Sequence, residues 1–388
     1  MAFSGLVGVL GHRQVGKTTV LEKLCKHYYT LDRKPEKEEA TQDPGAYLEK
    51  RGDSWVGLDE VQTVPNLFPE LKDWVRTHKK PGQFILSGSV RFTSRDAIRE
   101  SLTGRIINLE LLPLTQSEIE HLPLSSFCVD SIGLQTFDSV RNWRFRNPTE
   151  LRQQHQWMNR YFQSGGLPGI CFIRDEKLKS QKINEQLNTL LDRDLRLVKK
   201  IQLSLSDLKA IVTSLTALQG LPLDLTRIKR ETGISTPSIK KVLYALEAIF
   251  LIRTIQIEGS TRGSTIFFED QGEHVALSEK QPDTLDKIIH FCFVNLRAQF
   301  AYRLGEPTQI FQYRTRGGAF IPFAFKNKMG CLGIVPILSP ERVQSILGSV
   351  NSFLKSYSNS KVLIVYPEVG KLHFVQPRVL ELPLGHIL

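Results

Sequence analysis

The run Gly11-His12-Arg13-Gln14-Val15-Gly16-Lys17-Thr18, continued by Thr19, separates two glycines by four residues and follows the second with a lysine and a hydroxyl. Such glycines let backbone N–H groups turn inward around a β-phosphate, Lys17 reaches the β and γ oxygens, and the Thr18 hydroxyl suits Mg²⁺. This chemistry needs a strand before the loop and a helix after it. Residues 6–10 and 17–28 read as that pair, and the helix N-terminus adds a positive dipole.

A metal-assisted phosphate site also needs an acid at the end of a second strand. Residues 55–58 are mostly apolar and run into Asp59-Glu60. Asp59 suits the water shell of Mg²⁺, and Glu60 suits polarising an attacking water, which favours hydrolysis of ATP over transfer to a metabolite. Alone, an acid pair after a strand is more often a helix N-cap; beside the loop it reads as catalytic. The strand over 83–86 runs into Ser87-Gly88-Ser89, where Ser87 or Ser89 can sense a γ-phosphate, with a plain turn as the competing reading. Leu102-Thr103-Gly104-Arg105 precedes a strand over 106–111, and Arg105 is placed to reach a neighbouring subunit's nucleotide. An isolated arginine there is most often a surface ion pair. GTP selectivity lacks support, because the sole Asn-Lys, Asn327-Lys328, continues into Met329-Gly330 rather than a base-reading N-K-x-D element.

The positioning elements form an α/β pattern. Over 1–125, short apolar runs alternate with helical periodicity, with another helix over 69–77 and a strand over 84–86, the layout of a parallel sheet. Residues 126–205 read as a helical lid or linker broken at Gly165-Gly166-Leu167-Pro168-Gly169. Residues 206–270 read as a winged-helix-like module: a helix–turn–helix with Gly233 at the turn and Pro237 in the first turn of the second helix, then a hairpin over 250–257 and 265–268. Residues 271–388 read as a second α/β unit, with a helix over 285–302, strands over 309–314, 319–325 and 331–338, a helix over 340–357 and strands over 361–366 and 371–375.

The chain has 388 residues, too many for one core, and a formal charge of +11. The charge is uneven. Residues 1–125 hold 17 Lys and Arg against 17 Asp and Glu, while the remainder holds 34 against 23. A basic rear implies an anionic macromolecule, and DNA is the expected partner. Arg227, Lys229, Arg230, Ser238, Lys240, Lys241 and Tyr244 form one candidate surface around the helix–turn–helix, and Arg314, Arg316, Lys326 and Lys328 a second that contacts phosphate rather than reading bases. No apolar stretch approaches the roughly 20 residues of a membrane span. The N-terminus has no secretory pattern, so a cytoplasmic location is expected. Five scattered cysteines, at 25, 128, 171, 292 and 331, indicate neither zinc nor a disulfide framework.

Together these stretches resemble a family of bacterial and archaeal AAA+-type P-loop ATPases. The resemblance is carried by Gly11–Thr19, Asp59-Glu60-Val61-Gln62 with Pro65 and Phe68–Leu71, Leu86–Ser89, and Leu102–Arg105 with Pro113-Leu114. Tyr29-Thr30-Leu31-Asp32, residues 40–48, Gly165–Pro168 and Arg193-Asp194 are similar as well. It implies a homo-oligomer in which Arg105 acts in trans, Ser87 or Ser89 as sensor, and a C-terminal domain resembling the restriction-endonuclease-like nuclease fold. Where that pattern would place Glu and Asp, the chain has Phe320 and Pro322, and residues 307–340 contain no acid. Without acids to hold a metal over a phosphodiester, the domain is expected to be catalytically inactive, with Lys326 and Lys328 as phosphate contacts. The leading expectation is an ATPase coupled to DNA. The alternative is a nucleotide-gated switch or adaptor that recruits a protein.

Overall fold

The computed structural model describes residues 4–52, 55–78, 80–92, 104–302 and 307–388. They form two compact units, one made of residues 1–112, 181–208 and 240–251, the other of 113–180, 209–239 and 252–388.

In the first unit, β1 (Leu6–Gly11), β2 (His27–Thr30), β3 (Val56–Asp59), β4 (Phe84–Gly88) and β5 (Ile106–Leu111) make a five-stranded sheet in the order β2-β3-β4-β1-β5. Every pairing is parallel. β1, β3 and β4 are buried throughout, which explains their continuous apolar runs. Leu6, Leu58, Leu86 and Phe84 share a core with Leu67, Phe68 and Leu71 of the helix Leu67–Thr77. Fully burying each such side chain contributes roughly 1.5–3 kcal/mol.

The helix after the loop, α1 (Lys17–Leu24), is shorter than its periodicity suggests. Cys25 takes an extended conformation and ends it, and the aromatic and β-branched run Tyr28-Tyr29-Thr30 pairs with β3 as β2. The helix that the periodicity predicts through Tyr28 therefore ends at Leu24.

The second unit is built on an eight-stranded mixed sheet. Its strands are β6 (Ile252–Gly259), β7 (Gly263–Phe268), β8 (Gln309–Arg314), β9 (Phe320–Asn327), β10 (Gly330–Pro336), β11 (Ser360–Tyr366), β12 (His373–Gln376) and β13 (Val379–Pro383). The order is β12-β13-β11-β10-β9-β8-β6-β7. Period-two alternation divides its faces. Leu332, Ile334, Leu363 and Val365 pack with Phe291, Phe293 and Leu296 of the helix Thr284–Ala301, while Cys331, Val335, Val362 and Ile364 pack with Val350, Phe353 and Leu354 of the helix Val343–Ser356.

The hairpin expected as a wing is β6–β7, and it belongs to this sheet: Gln256–Gly259 pair in parallel with Phe311–Arg314. A hairpin with an open edge gains ladder hydrogen bonds by taking β8 as a neighbour. The segment expected as one lid is also shared out, residues up to 180 going to the second unit and 181–208 to the first. Within the second unit, the Gly165-Gly166 breaker is a close approach. Gly165 has φ 62°, and a Cβ on Gly166 would lie 2.0 Å from the Leu114 carbonyl oxygen.

Candidate nucleotide site

Parallel α/β sheets bind ligands beyond the carboxyl ends of their strands, and the first unit collects its chemistry there. β1 runs into the glycine loop, β3 ends at Asp59, and β4, the strand between them, delivers Ser87 and Ser89. Gly16 caps α1 with φ 98°, a left-handed conformation that glycine adopts without strain. Gln14 takes φ 62°.

Lys17 lies inside the loop it serves. Its ammonium donates to the carbonyls of Gly11, at 3.0 Å, and His12, at 2.8 Å. Burial lowers its pKa, against the pull of Glu60 and Asp59. The Thr18 hydroxyl donates to Asp59 Oδ2 at 2.6 Å, as does the Tyr28 hydroxyl at 2.8 Å. Ser87 donates to Asp59 Oδ1, the oxygen that also accepts the Glu60 N–H at 3.0 Å. A hydroxyl and a carboxylate in contact are the hard oxygen donors that Mg²⁺ takes, so Thr18 and Asp59 fit that ion.

Glu60 sits at φ 56°, in the left-handed region, a strained conformation for a residue with a Cβ. Its Oε2 accepts from Gln62 Nε2 and, at 3.5 Å, from Ser89 Oγ. Burial raises its pKa first of all, opposed by Lys17 and reinforced by Asp59 and Asp32. A half-buried carboxyl with a raised pKa, held beside a phosphate loop, is suited to taking a proton from water. Arg13 points to Asp194, with Nε 3.0 Å from Oδ2.

Lys17, Thr18, Asp59, Glu60, Ser87 and Ser89 therefore converge. Tyr28, Gln62 and Asp194 join them and were not singled out as site residues. Gln62 and Asp194 were visible only as parts of resembling segments, and Tyr28 was hidden by the helix reading. Arg105 does not join them. It precedes β5 at the amino end, where its carbonyl accepts from Ser4 Oγ at 2.6 Å, opposite the end of β1 that carries the loop. Leu102 and Thr103, expected beside it, lie outside the described residues.

Of the basic candidates, Lys229, Arg230, Lys240, Lys241, Arg316 and Lys328 are exposed. Arg227 pairs with Glu231 at 2.8 Å, Ser238 Oγ accepts from Ser235 at 2.9 Å, and Tyr244 carries the Lys199 ammonium 5.5 Å from its ring centre. Arg314 is held, with Nε 2.6 Å from Gln312 Oε1 and its guanidinium 4.1 Å from the Phe320 ring centre. Lys326 lies 3.4 Å from Glu258. Phe320 is thus a stacking partner for an arginine. Among the described residues, no group of three or more His, Cys, Asp or Glu is arranged to hold a metal, and no helix is long and apolar enough to cross a membrane.

Comparison with known proteins divides the chain differently from the two units, the second match taking residues from both. Residues 4–120 match a family model described as an AAA domain, and residues 155–265 match a domain of unknown function. The uncharacterized proteins Rv2008c of Mycobacterium tuberculosis and Mb2031c of Mycobacterium bovis are each 23% identical over 410 residues, covering 99% of this chain and 81% of theirs. The uncharacterized protein MJ1544 of Methanocaldococcus jannaschii is 27% identical over 139 residues, 35% of this chain and 27% of its own. Protein VC1899 of Vibrio cholerae aligns over 94% of this chain and 89% of its own at 11% identity, with a TM-score of 0.18, too low for a shared fold. With the glycine loop, its lysine and its acids assembled on a five-stranded parallel sheet, the AAA match supports an AAA-like P-loop domain with a nucleotide-binding, ATPase-like function in residues 4–120.

Proposed function

We propose that this chain binds ATP with Mg²⁺ and hydrolyses it, and that it couples this cycle to DNA. The observation that carries the hydrolytic reading is the junction of Thr18 with Asp59 at 2.6 Å and of Asp59 with the Glu60 N–H at 3.0 Å, beside the buried Lys17. Lys17 exchanges its two loop carbonyls for phosphate oxygens. Thr18 and Asp59 hold Mg²⁺, which when bound neutralises charge on the β- and γ-phosphates. The two bonds to Glu60 fall on Oε2, so Oε1 is the oxygen that takes the proton of the attacking water. Ser89, tied to Gln62 and Glu60, keeps that carboxylate in place. Lys17→Ala is expected to abolish nucleotide binding measured by fluorescent-nucleotide titration, and unchanged affinity overturns the site.

The DNA part is supported by the second unit. The tips of two hairpins are tied together, the Arg316 N–H donating to Ser260 Oγ at 2.7 Å and the Thr261 N–H to the Arg314 carbonyl at 3.3 Å. Arg262 and Arg316, both exposed, share that end of the sheet. Each phosphate contact adds about 0.9 to the slope of log affinity against log salt. Arg262→Ala with Arg316→Ala is expected to reduce the slope by about 1.8 without changing sequence preference, and binding that ignores salt rejects the DNA reading. The C-terminal unit acts without nuclease chemistry, and subunits assemble so that Arg105 serves a neighbour's nucleotide. Arg105→Ala is then expected to lower turnover by roughly 10³-fold and to be complemented in mixtures with Lys17→Ala chains.

A further inference from the structure

Arg13 belongs to the phosphate loop, yet its side chain does not follow the loop's backbone role. Its Nε donates to Asp194 Oδ2 at 3.0 Å, while Nη2 is buried without a hydrogen-bond partner among the described residues. Asp194 Oδ2 also accepts from Ser89 Oγ at 3.4 Å, and Ser89 Oγ lies 3.5 Å from Glu60 Oε2, so the guanidinium stands on the side of the loop that faces the hydrolytic carboxylate. A water-activating carboxylate beside a phosphate loop serves the γ-phosphate, so a cation on its side lies toward the phosphate that a diphosphate lacks.

Asp194 reaches this place from a widened, π-type turn, Leu190–Asp194, in a helical segment of the same unit. The residue is 1% exposed. Its Oδ2 also accepts from Ser89 Oγ at 3.4 Å, and Ser89 touches Gln62 and Glu60. Oδ1 is buried without a hydrogen bond, 3.8 Å from Arg193 Nε. A buried carboxylate so held depends on its arginine, and drawing Arg13 away leaves the charge with only the longer pairing to Arg193 at 3.8 Å.

We propose that Arg13 reads the third phosphate of the nucleotide and that Asp194 competes for the same guanidinium, setting how strongly triphosphate is preferred over diphosphate. The proposal rests on the nucleotide reading above. Binding of a γ-phosphate oxygen to Arg13 costs the Arg13–Asp194 contact, and it frees Asp194 and Ser89 together. The γ-phosphate contact thereby reaches the bonds that hold Glu60. The segment 181–208 is coupled to the third phosphate through this carboxylate, beside the contact of Gln186 with His12 of the loop at 3.5 Å.

The test measures dissociation constants for ATP and ADP on the full chain carrying Glu60→Gln, which keeps ATP intact during titration. Arg13→Gln is expected to weaken ATP by about tenfold or more and ADP by less than about twofold. Asp194→Asn, close in shape, is expected to tighten ATP by about three- to tenfold with ADP unchanged. Arg13→Lys, which keeps the charge without the fork, is expected to fall between. The ratio of the two constants within one protein is insensitive to a general loss of folded fraction. Ratios that stay within about twofold of the parent in Arg13→Gln or Asp194→Asn, while Lys17→Ala abolishes both nucleotides, overturn this proposal and leave the site reading intact. A parent chain that binds neither nucleotide overturns both.

Discussion

Replacing Glu60 by Gln changes one oxygen to an amide nitrogen, and the surroundings identify what that change removes. The backbone stays, since the left-handed φ of 56° is held by the Glu60 N–H on Asp59 Oδ1 at 3.0 Å. The bonds from Gln62 and Ser89 stay as well, because the Gln carbonyl accepts them in place of Oε2. Only proton acceptance is lost. A positioned general base contributes about 10²–10⁴-fold, or roughly 2.7–5.4 kcal/mol of barrier. Single-turnover hydrolysis of ATP is therefore expected to slow by that factor with ATP affinity retained. A second signature follows from burial, which raises the Glu60 pKa above its ordinary 4.5. An acid so raised favours the folded state while protonated, and that contribution is lost as pH rises through the folded value. Glu60→Gln avoids the loss, so the variant and the parent are expected to melt together below pH 4.5, with the variant increasingly the more stable above it. Hydrolysis within about threefold of the parent, or a melting difference that ignores pH, refutes the assignment of Glu60 as a buried base.

The second unit offers two independent checks. Asp270, 1% exposed, accepts the Gly166 N–H at 2.6 Å and caps its own helix through the Glu273 N–H at 3.0 Å; Asp270→Ala is expected to cost about 2–4 kcal/mol in denaturant unfolding, with ATP affinity unchanged. His274 is driven down from 6.5 to about 4, by burial first and by Lys287, against the Thr216 carbonyl that meets Nε2 at 3.1 Å. The folded state resists charging this ring, so stability is expected to fall as pH drops from 6.5 toward 4. His274→Gln is expected to soften that fall in a pH series of thermal melts, and an identical series for both proteins shows the ring does not contribute.

The phosphate loop and its acids could be read from sequence because their demands are local: glycine where backbone must face an anion, lysine and hydroxyl directly after, and a carboxylate where an apolar strand ends. The companions of those residues obey no local rule. Tyr28 was read into a helix because the periodicity of α1 continues through it, and only pairing with β3 turns it into a strand whose hydroxyl meets Asp59. Asp194 lies 181 positions from Arg13, and nothing in its neighbourhood says that a widened turn aims it at a distant loop. The hairpin β6–β7 was visible as alternation, but alternation does not name the strand that covers its edge, and β8 begins 50 residues after β6 ends. Phe320 illustrates the same limit from the other side. Phe320 first reads as a subtraction, a missing metal ligand; with Arg314 stacked 4.1 Å from its ring centre it is a gain, because the ring supports a cation that an acid there would have neutralised. A basic surface on this eight-stranded sheet is therefore shaped by packing as well as by composition, and the +11 charge of the chain is divided between cations that are braced and cations that are already paired.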